Sequence, residues 1–359
     1  MKKINKDISL ANTLTGDFYC SDTIFNDLKV KVFERSWQYI CSDADLKIKN
    51  SVVPFVLLDK FISEPLMLIN NSYKISCLSN VCTHRGNILV DKKTIFNGNI
   101  VCGYHGRSFN KNGDFVSMPE TKDIKNFPCI DDNLSNINLE NWFQFIFISL
   151  DPVISFDKII SDMSGRISWM PIDKFILRED LSKSYTIDAN WALYCDNYLE
   201  GFHIPFIHKD LNATLDYKKY DVEIFEFSNL QIGYAEEDDI CFDFPVDSID
   251  YGKNIAAYYF WIFPNMMFNF YPWGLSINIV KPISAKKTEI EFKTFVWDET
   301  KLQLGAGADL DKVELEDEEI VQRVQKGVNS RFYKQGRFSP NMEKGVHHFH
   351  RLISKFMFK

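Results

Sequence analysis

Two short segments carry the ligand types of an iron–sulfur site. Cys82-Thr-His84-Arg85-Gly86 and Cys102-Gly-Tyr-His105-Gly106 each hold one thiol and one imidazole, and seventeen residues separate His84 from Cys102. A two-iron cluster bound at one iron by two cysteines and at the other by two histidines needs one ligand of each kind from each loop. Cys82, His84, Cys102 and His105 meet that need. Gly86 and Gly106 let the backbone turn tightly where a side chain would crowd the group. The competing reading is a structural zinc site. Zinc also takes two Cys and two His, but its usual pattern opens on paired cysteines and closes on paired histidines, unlike the mixed pairs here. Imidazole in place of thiolate raises the potential of the cluster, so it relays an electron and something else must receive it.

A second constellation could be that receiver. Of seven histidines, two fall in Glu200-Gly-Phe-His203-Ile-Pro-Phe-Ile-His208. If the segment from Trp191 is helical, Glu200 and His203 share a face, and Pro205 ends or kinks the helix so that His208 can swing back. Two imidazoles and one carboxylate make the facial triad that holds non-haem Fe(II) with positions open for dioxygen and substrate. Asp196, Glu200 and Asp317 are the candidate carboxylates. Asp317 opens a helical pattern in which Ile320, Val321, Val324 and Val328 lie 3, 4, 7 and 11 residues on, which puts it on the buried stripe and turns Glu316, Glu318 and Glu319 elsewhere. A buried carboxylate is costly unless paired or bound to metal. The bland alternatives are an Asp317 that faces water at the helix start and two histidines satisfied in a core. His347, His348 and His350 have no carboxylate at ligand spacing and read as packing or surface.

The elements that must position these groups follow from composition shifts. Strand-like runs bounded by Asn, Gly, Pro and Asp cover roughly residues 30–150, among them Val52–Leu58, Ile100–Cys102 and Phe143–Leu150, and predict a mostly β domain with the cluster loops on hairpin tips. Asp151-Pro152 marks a boundary. Beyond it helical patches alternate with strands and the chain ends helix-rich, which predicts an α+β fold with two domains: residues 37–150, and residues 1–36 with 151–359. Residues 255–280 carry no charge. Pro264, Asn265, Asn269, Pro272, Trp273 and Gly274 interrupt the run, so it reads as consecutive buried strands joined by turns, with no membrane span.

At 359 residues the chain is too long for a small electron carrier alone. A non-catalytic carrier would leave about 200 residues and the Glu-x-x-His-x4-His motif without a purpose. The net charge of −8 argues against nucleic acid as a partner. Met1-Lys-Lys-Ile-Asn-Lys-Asp lacks the apolar stretch of an export signal, and Cys20, Cys41, Cys77, Cys129, Cys195 and Cys241 show no disulfide-like spacing, so reduced thiols in a cytoplasm are expected.

Both constellations together resemble the catalytic α subunits of the Rieske non-haem iron oxygenases. The two cluster loops are similar to that family's, and Asn190-Trp191 through His208 is similar to its N-W-x-x-x-x-E/D-N-x-x-E-x-Y/F-H-x-P-x-x-H signature. The resemblance covers nearly the whole chain. It implies a β-rich Rieske [2Fe-2S] domain and a catalytic domain with an antiparallel sheet flanked by helices. It further implies mononuclear Fe(II) on His203, His208 and Asp317, and Glu200 as the acid that links a cluster histidine of one subunit to an iron histidine of its neighbour. That role implies a ring-shaped homo-oligomer, a homotrimer, closed by heterologous contacts. Electrons would come from NAD(P)H through a separate flavin or iron–sulfur reductase, since no Gly-x-Gly-x-x-Gly follows a strand here. The motif around Glu200 and the ending from Gly336 to Phe349 look more like the choline, glycine betaine and carnitine monooxygenases than the aromatic ring dioxygenases, which are the alternative. Aromatic faces hold quaternary ammonium groups. Tyr194, Phe202, Phe206, Tyr259, Trp261, Phe263, Phe268, Tyr271 and Trp273 are candidates for that role, most of them expected to fill the core. The aromatic run has no Arg or Lys, which favours choline-like molecules over betaines.

Overall fold

The computed structural model describes residues 3–72, 74–207, 221–235, 239–302, 304–307 and 310–358, with backbone alone at 307 and 310–312. The chain forms two units, Trp37–Pro152 and a larger one made of Met1–Ser36 with Val153–Lys359.

The larger unit begins with α1 (Asp22–Leu28), capped by the Ser21 hydroxyl on the Ile24 N–H. The smaller unit is all strands and turns: β1 (Gln38–Ser42), β2 (Ser51–Leu57), β3 (Glu64–Asn70), β4 (Ile75–Ser79), β5 (Thr94–Ile95), β6 (Ile100–Val101), β7 (Ser108–Phe109), β8 (Phe115–Ser117), β9 (Asn136–Trp142) and β10 (Phe145–Ser149). Seven of them make one sheet in the order β1-β10-β9-β4-β3-β2-β5, and β6-β7-β8 make a second. Val52, Met67, Ile69, Leu78, Ile100, Phe109 and Leu134 form its core, with Cys82 and Cys102 at the edge of the same cluster. The β-branched and aromatic content of these runs suits a pleated, buried surface.

After that insertion come α2 (Phe156–Ile167), β11 (Ile176–Leu177), β12 (Lys183–Ile187), α3 (Trp191–Tyr198), α4 (Ile204–Ile207), β13 (Asp221–Ile224), β14 (Ser228–Tyr234), β15 (Ile255–Ile262), β16 (Met266–Tyr271), β17 (Gly274–Ser284), β18 (Lys287–Val296), α5 (Leu310–Val328) and α6 (Lys344–Met357). An antiparallel sheet runs β11-β18-β17-β16-β15-β14-β13, with β12 also on β18. The uncharged run is thus β15, β16 and β17, three consecutive strands. The structure places Gly274 at φ +156°, where a Cβ would meet the Phe295 carbonyl oxygen at 2.1 Å, so only glycine turns the chain from β16 into β17 here.

Both faces of this sheet are covered, which is why it reads as a continuous apolar run. Register puts Gln231 opposite Tyr259, Tyr259 opposite Asn269, and Asn269 opposite Ser276. One face therefore carries a polar and aromatic row across four strands. On that face Trp261 meets Phe349 of α6 with ring centroids 5.3 Å apart, and Trp191 of α3 meets the same ring at 5.7 Å. On the other, Tyr258 stacks on Phe242 at 5.2 Å. Among the described residues no helix is long and apolar enough to cross a membrane.

Candidate functional site

In the smaller unit the two cysteine–histidine loops share one backbone frame. The Cys82 N–H donates to the Asn87 carbonyl at 2.8 Å and the Cys102 N–H to the Arg107 carbonyl at 2.8 Å; Gly86 N–H returns to Cys82 O at 3.0 Å and Gly106 N–H to Cys102 O at 3.1 Å. Both glycines sit at φ +71°, the left-handed region that a side chain disfavours. The second loop tips the β6–β7 hairpin, and the first is closed by a bridge between Val81 and Ile88. Asp132 ties the loops together. Its side chain pairs with Arg107 at 2.6 Å and its carbonyl accepts from the Thr83 hydroxyl at 2.8 Å. Hydrogen bonding to Arg107 holds the Asp132 carboxyl below its ordinary pKa.

The four predicted cluster residues come together. The His84 and His105 rings lie 4.7 Å apart, half-buried and exposed respectively, while Cys82 and Cys102 are buried. The two thiols are close enough to hydrogen-bond each other, which splits their acidity. Burial raises the Cys82 pKa. Burial opposes ionisation of Cys102 too, yet the backbone N–H groups of Tyr104 and His105, the Cys82 thiol and the Asn87 amide, 3.6 Å away, hold it below its ordinary value. Desolvation, then the charges of His105, Arg85 and Arg107, lowers the His84 pKa, which favours the neutral form that can ligate a metal. A thiol whose ionisation N–H donors favour, a second thiol beside it and two imidazoles 4.7 Å apart fit a two-iron cluster in donor type.

In the larger unit α3 starts at Asn190, which is fully buried. Its side chain accepts from the Ala192 N–H at 3.0 Å and donates to the Ala285 carbonyl at 2.8 Å, and its own N–H donates to Gln325 Oε1 at 2.7 Å. The helix does not run through to His203. It ends at Tyr198, and the Leu199 N–H makes the last bond, to Cys195 O at 3.1 Å. Glu200 and His203 therefore meet across a turn, not along a helix face. The Glu200 carboxylate accepts the N–H groups of Phe202 and His203, the latter at 3.1 Å, and His203 Nδ1 donates to its other oxygen at 2.8 Å. Pro205 then lies inside the short α4, where an early helical position tolerates it.

A carboxylate can only accept, so His203 Nδ1 carries a proton, and Nε2 on the other side of the ring lies 3.5 Å from Asp317 Oδ1. An imidazole nitrogen and a carboxylate oxygen side by side are a donor set for a divalent metal. Asn197 Nδ2 donates to the same Asp317 oxygen at 2.7 Å, an arrangement typical of groups that orient metal ligands. His208 lies outside the described residues. Among the described residues no group of three or more His, Cys, Asp or Glu side chains is set to hold one ion; His203 and Asp317 are a pair, and the loop ligands are of a kind divided between two irons.

Asp196, the third candidate carboxylate, is engaged elsewhere. It pairs with His350 Nε2 at 2.8 Å and accepts from the Tyr19 hydroxyl at 2.8 Å. His347, His348 and His350 are buried, the first two bonded to Asn5 O at 2.8 Å and Asn229 Oδ1 at 2.7 Å, so they belong to the packing. The stripe of α5 differs from the predicted one. Val324 is 41% exposed, and the buried positions are Glu314, Val321, Gln325 and Val328. Asp317, read as lying on the buried stripe, is half-buried, and so are Glu316 and Glu318, read as turned away from it.

A cavity with an empty volume of about 890 Å³, its open mouth included, lies against His203 and Asp317. Of the nine aromatic candidates only Tyr194, Tyr259 and Tyr271 line it. Trp261, Phe263, Phe268 and Trp273 are core, and Phe202 and Phe206 are exposed. Tyr198, Gln231, Asn269, Phe292 and Glu314 also line it and escaped the sequence reading. Glu314 lies three residues before Asp317, and that spacing was the available signal. Tyr198 donates to Asn269 Oδ1 at 2.6 Å, which fixes one wall. No Lys or Arg appears among the described residues of the lining.

Residues 176–358 match the ring hydroxylating alpha subunit (catalytic domain) family, and residues 36–128 match the Rieske [2Fe-2S] domain. The chain is 28% identical to a chloroplastic choline monooxygenase of Arabidopsis thaliana over 96% of its length and 82% of the relative's. It is 25% identical to the carnitine monooxygenase oxygenase subunit of Escherichia coli K12, covering 96% and 93%. Its fold superposes on the quaternary ammonium Rieske monooxygenase CntA with a TM-score of 0.79 at 21% identity, each chain covered to 99%. On naphthalene 1,2-dioxygenase the TM-score is 0.73 at 16% identity, covering 100% and 95%. The Rieske match decides against structural zinc in the first loops. With two thiols and two imidazoles gathered in one unit and a histidine–carboxylate pair beside a cavity in the other, the chain belongs to the ring-hydroxylating oxygenase α-subunit family, oxidoreductases that use a Rieske cluster and non-haem iron.

Proposed function

We propose that this protein is a monooxygenase that hydroxylates a small quaternary ammonium compound, of the choline, betaine or carnitine type, at a carbon near the nitrogen, giving alcohol oxidation or N-demethylation. The observation that carries this reading is the cavity itself. Three tyrosines from α3, β15 and β16 and the carboxylate of Glu314 surround a space with no Lys or Arg among its described lining residues. Such a wall suits a cation, since each aromatic face contributes about 0.5–2 kcal/mol to an ammonium group. Relatives named as choline and carnitine monooxygenases point the same way.

In this reading Cys82, His84, Cys102 and His105 hold the cluster, and His203, His208 and Asp317 hold the mononuclear iron. When bound, the two groups supply electrons and dioxygen activation. The protein does the rest. Glu200 fixes the tautomer and tilt of His203, Asn197 aims Asp317, and the buried sheet face keeps water from the reacting carbon. Glu200 also serves as the bridge to a cluster histidine of a neighbouring subunit in a homotrimer. A solved structure of a quaternary ammonium Rieske monooxygenase has been described as giving insight into inter-subunit electron transfer. A separate reductase in the cytoplasm supplies electrons from NAD(P)H.

The test is substrate-dependent oxygen uptake by anaerobically purified protein with NADH and a surrogate reductase, across quaternary amines and aromatic acids. Aldehyde formed in step with oxygen consumed is expected with an amine. A ring diol from an aromatic substrate would overturn the reading in favour of a ring dioxygenase.

A further inference from the structure

Two polar groups in the cavity are not accounted for by iron ligation. Glu314 sits one turn before Asp317 on α5, is 7% exposed, and lines the cavity; the Tyr194 hydroxyl donates to its carboxylate, with the two oxygens 2.8 and 2.9 Å away. Burial, then the neighbouring carboxylates, raises the Tyr194 pKa, so its hydroxyl stays a donor and keeps the carboxylate in place. Gln231 on β14 is 1% exposed and lines the same cavity. Its Nε2 donates to the Tyr198 carbonyl at 2.7 Å, whereas its Oε1 is buried with no hydrogen-bond partner among the described residues. A buried acceptor in that condition is stabilised by an incoming donor.

We propose that Glu314 and Gln231 are the specificity-determining pair of this cavity. Glu314 pairs the cationic nitrogen of the substrate, flanked by the rings of Tyr194, Tyr259 and Tyr271, and Gln231 Oε1 accepts a hydrogen bond from a hydroxyl on it. The pair selects a quaternary amino alcohol over a betaine. A substrate carboxylate would face Glu314 and Asp317 with no Lys or Arg among the described lining residues, and would bring no proton for Gln231. This rests on the reading of the cavity as a site of quaternary-amine oxidation.

The experiment compares choline with 3,3-dimethylbutan-1-ol, its uncharged isostere, with O-methylcholine, which lacks the donor, and with glycine betaine. Calorimetric Kd and the split between kcat and KM are measured on the holoenzyme. The wild type is expected to bind choline about tenfold or more tightly than each of the other three. Glu314→Gln should raise the choline KM by about tenfold while leaving the Kd of the uncharged isostere and the iron content unchanged. Gln231→Leu should abolish the preference for choline over O-methylcholine. A wild type that binds the isostere as tightly as choline overturns the proposal without recourse to any variant. So does Glu314→Gln with an unchanged choline KM, or with lost mononuclear iron, which would make Glu314 a ligand. If the wild type oxidises no quaternary amine, the proposed function falls as well; if it oxidises choline and betaine alike, only the specificity pair falls.

Discussion

Replacing Glu200 with Gln tests how much of the mononuclear site one carboxylate holds. Glu200 accepts from His203 Nδ1 at 2.8 Å on one oxygen, and from the N–H groups of His203, at 3.1 Å, and Phe202 on the other. A carboxamide offers a single acceptor oxygen. Whichever way it turns, its NH2 confronts an N–H donor, so the variant keeps either the ring-orienting bond or the bonds that close the turn, never both. A hydrogen bond to a charged group contributes about 1.5–3 kcal/mol. The span agrees with the 10–100-fold loss of metal affinity, roughly 1.4–2.7 kcal/mol, that follows removal of a partner of a ligating histidine. Fe(II) affinity should therefore fall about 10–100-fold, with the visible spectrum of the cluster unchanged. The assay is competition against a chelator, with mononuclear iron taken as total iron less cluster iron. At saturating Fe(II) the site refills, and the turnover still missing measures the bridging role of Glu200 separately. An iron affinity equal to that of the wild type would refute the argument that the Nδ1 bond orients the ligand.

Asp317→Ala should lose the mononuclear iron and keep the cluster spectrum; metal analysis that finds the iron retained would move the third ligand elsewhere. Asn190→Ala removes the cap of α3, about 1 kcal/mol, and strands the Ala285 carbonyl, about 1–3 kcal/mol more, so denaturant unfolding should show a loss of about 2–4 kcal/mol. His348 gives a pH signature. Desolvation pushes its pKa down to about 4, below the unfolded value of about 6.5, so the unfolded chain takes the proton first and stability erodes as pH falls from about 6.5 towards 4, by about 3 kcal/mol in all. His348→Gln should flatten that part of the stability curve relative to the wild type, and an unaltered slope would place the titration on other groups.

The cluster loops were legible because their four ligands lie within a short span and the chemistry demands one thiol and one imidazole from each. Elsewhere periodicity could be followed only where burial was one-sided. Tyr259 and Trp261 alternate onto the same sheet face, yet Tyr259 lines the cavity and Trp261 lies under Phe349. The position of α6 decides between them, and no local pattern encodes it. On α5 the hydrophobic rhythm pointed to Val324, whereas the buried stripe includes Glu314 and Gln325, polar residues whose partners, Tyr194 and the Asn190 N–H, are more than a hundred positions away. α3 ends at Tyr198, well before Pro205, which drew the expected break to itself. Asn197 stood in the motif without a role until Asp317 was found beside it.

The larger unit is discontinuous, and that has a consequence for biogenesis. The Val153 N–H meets the Arg35 carbonyl at 3.3 Å, so the chain departs from this unit and returns to it at one point. Residues 4–16 are held by partners far along the chain: Ile4 by Ser354, Leu14 by His350 and Gly16 by Lys334. On a ribosome, where domains generally fold as units in order of synthesis, Trp37–Pro152 has all its strands soon after Pro152 emerges. The segment before it must wait until α6 has been made. The unit that carries the cysteine loops is thus complete in the growing chain while the catalytic half is still being made.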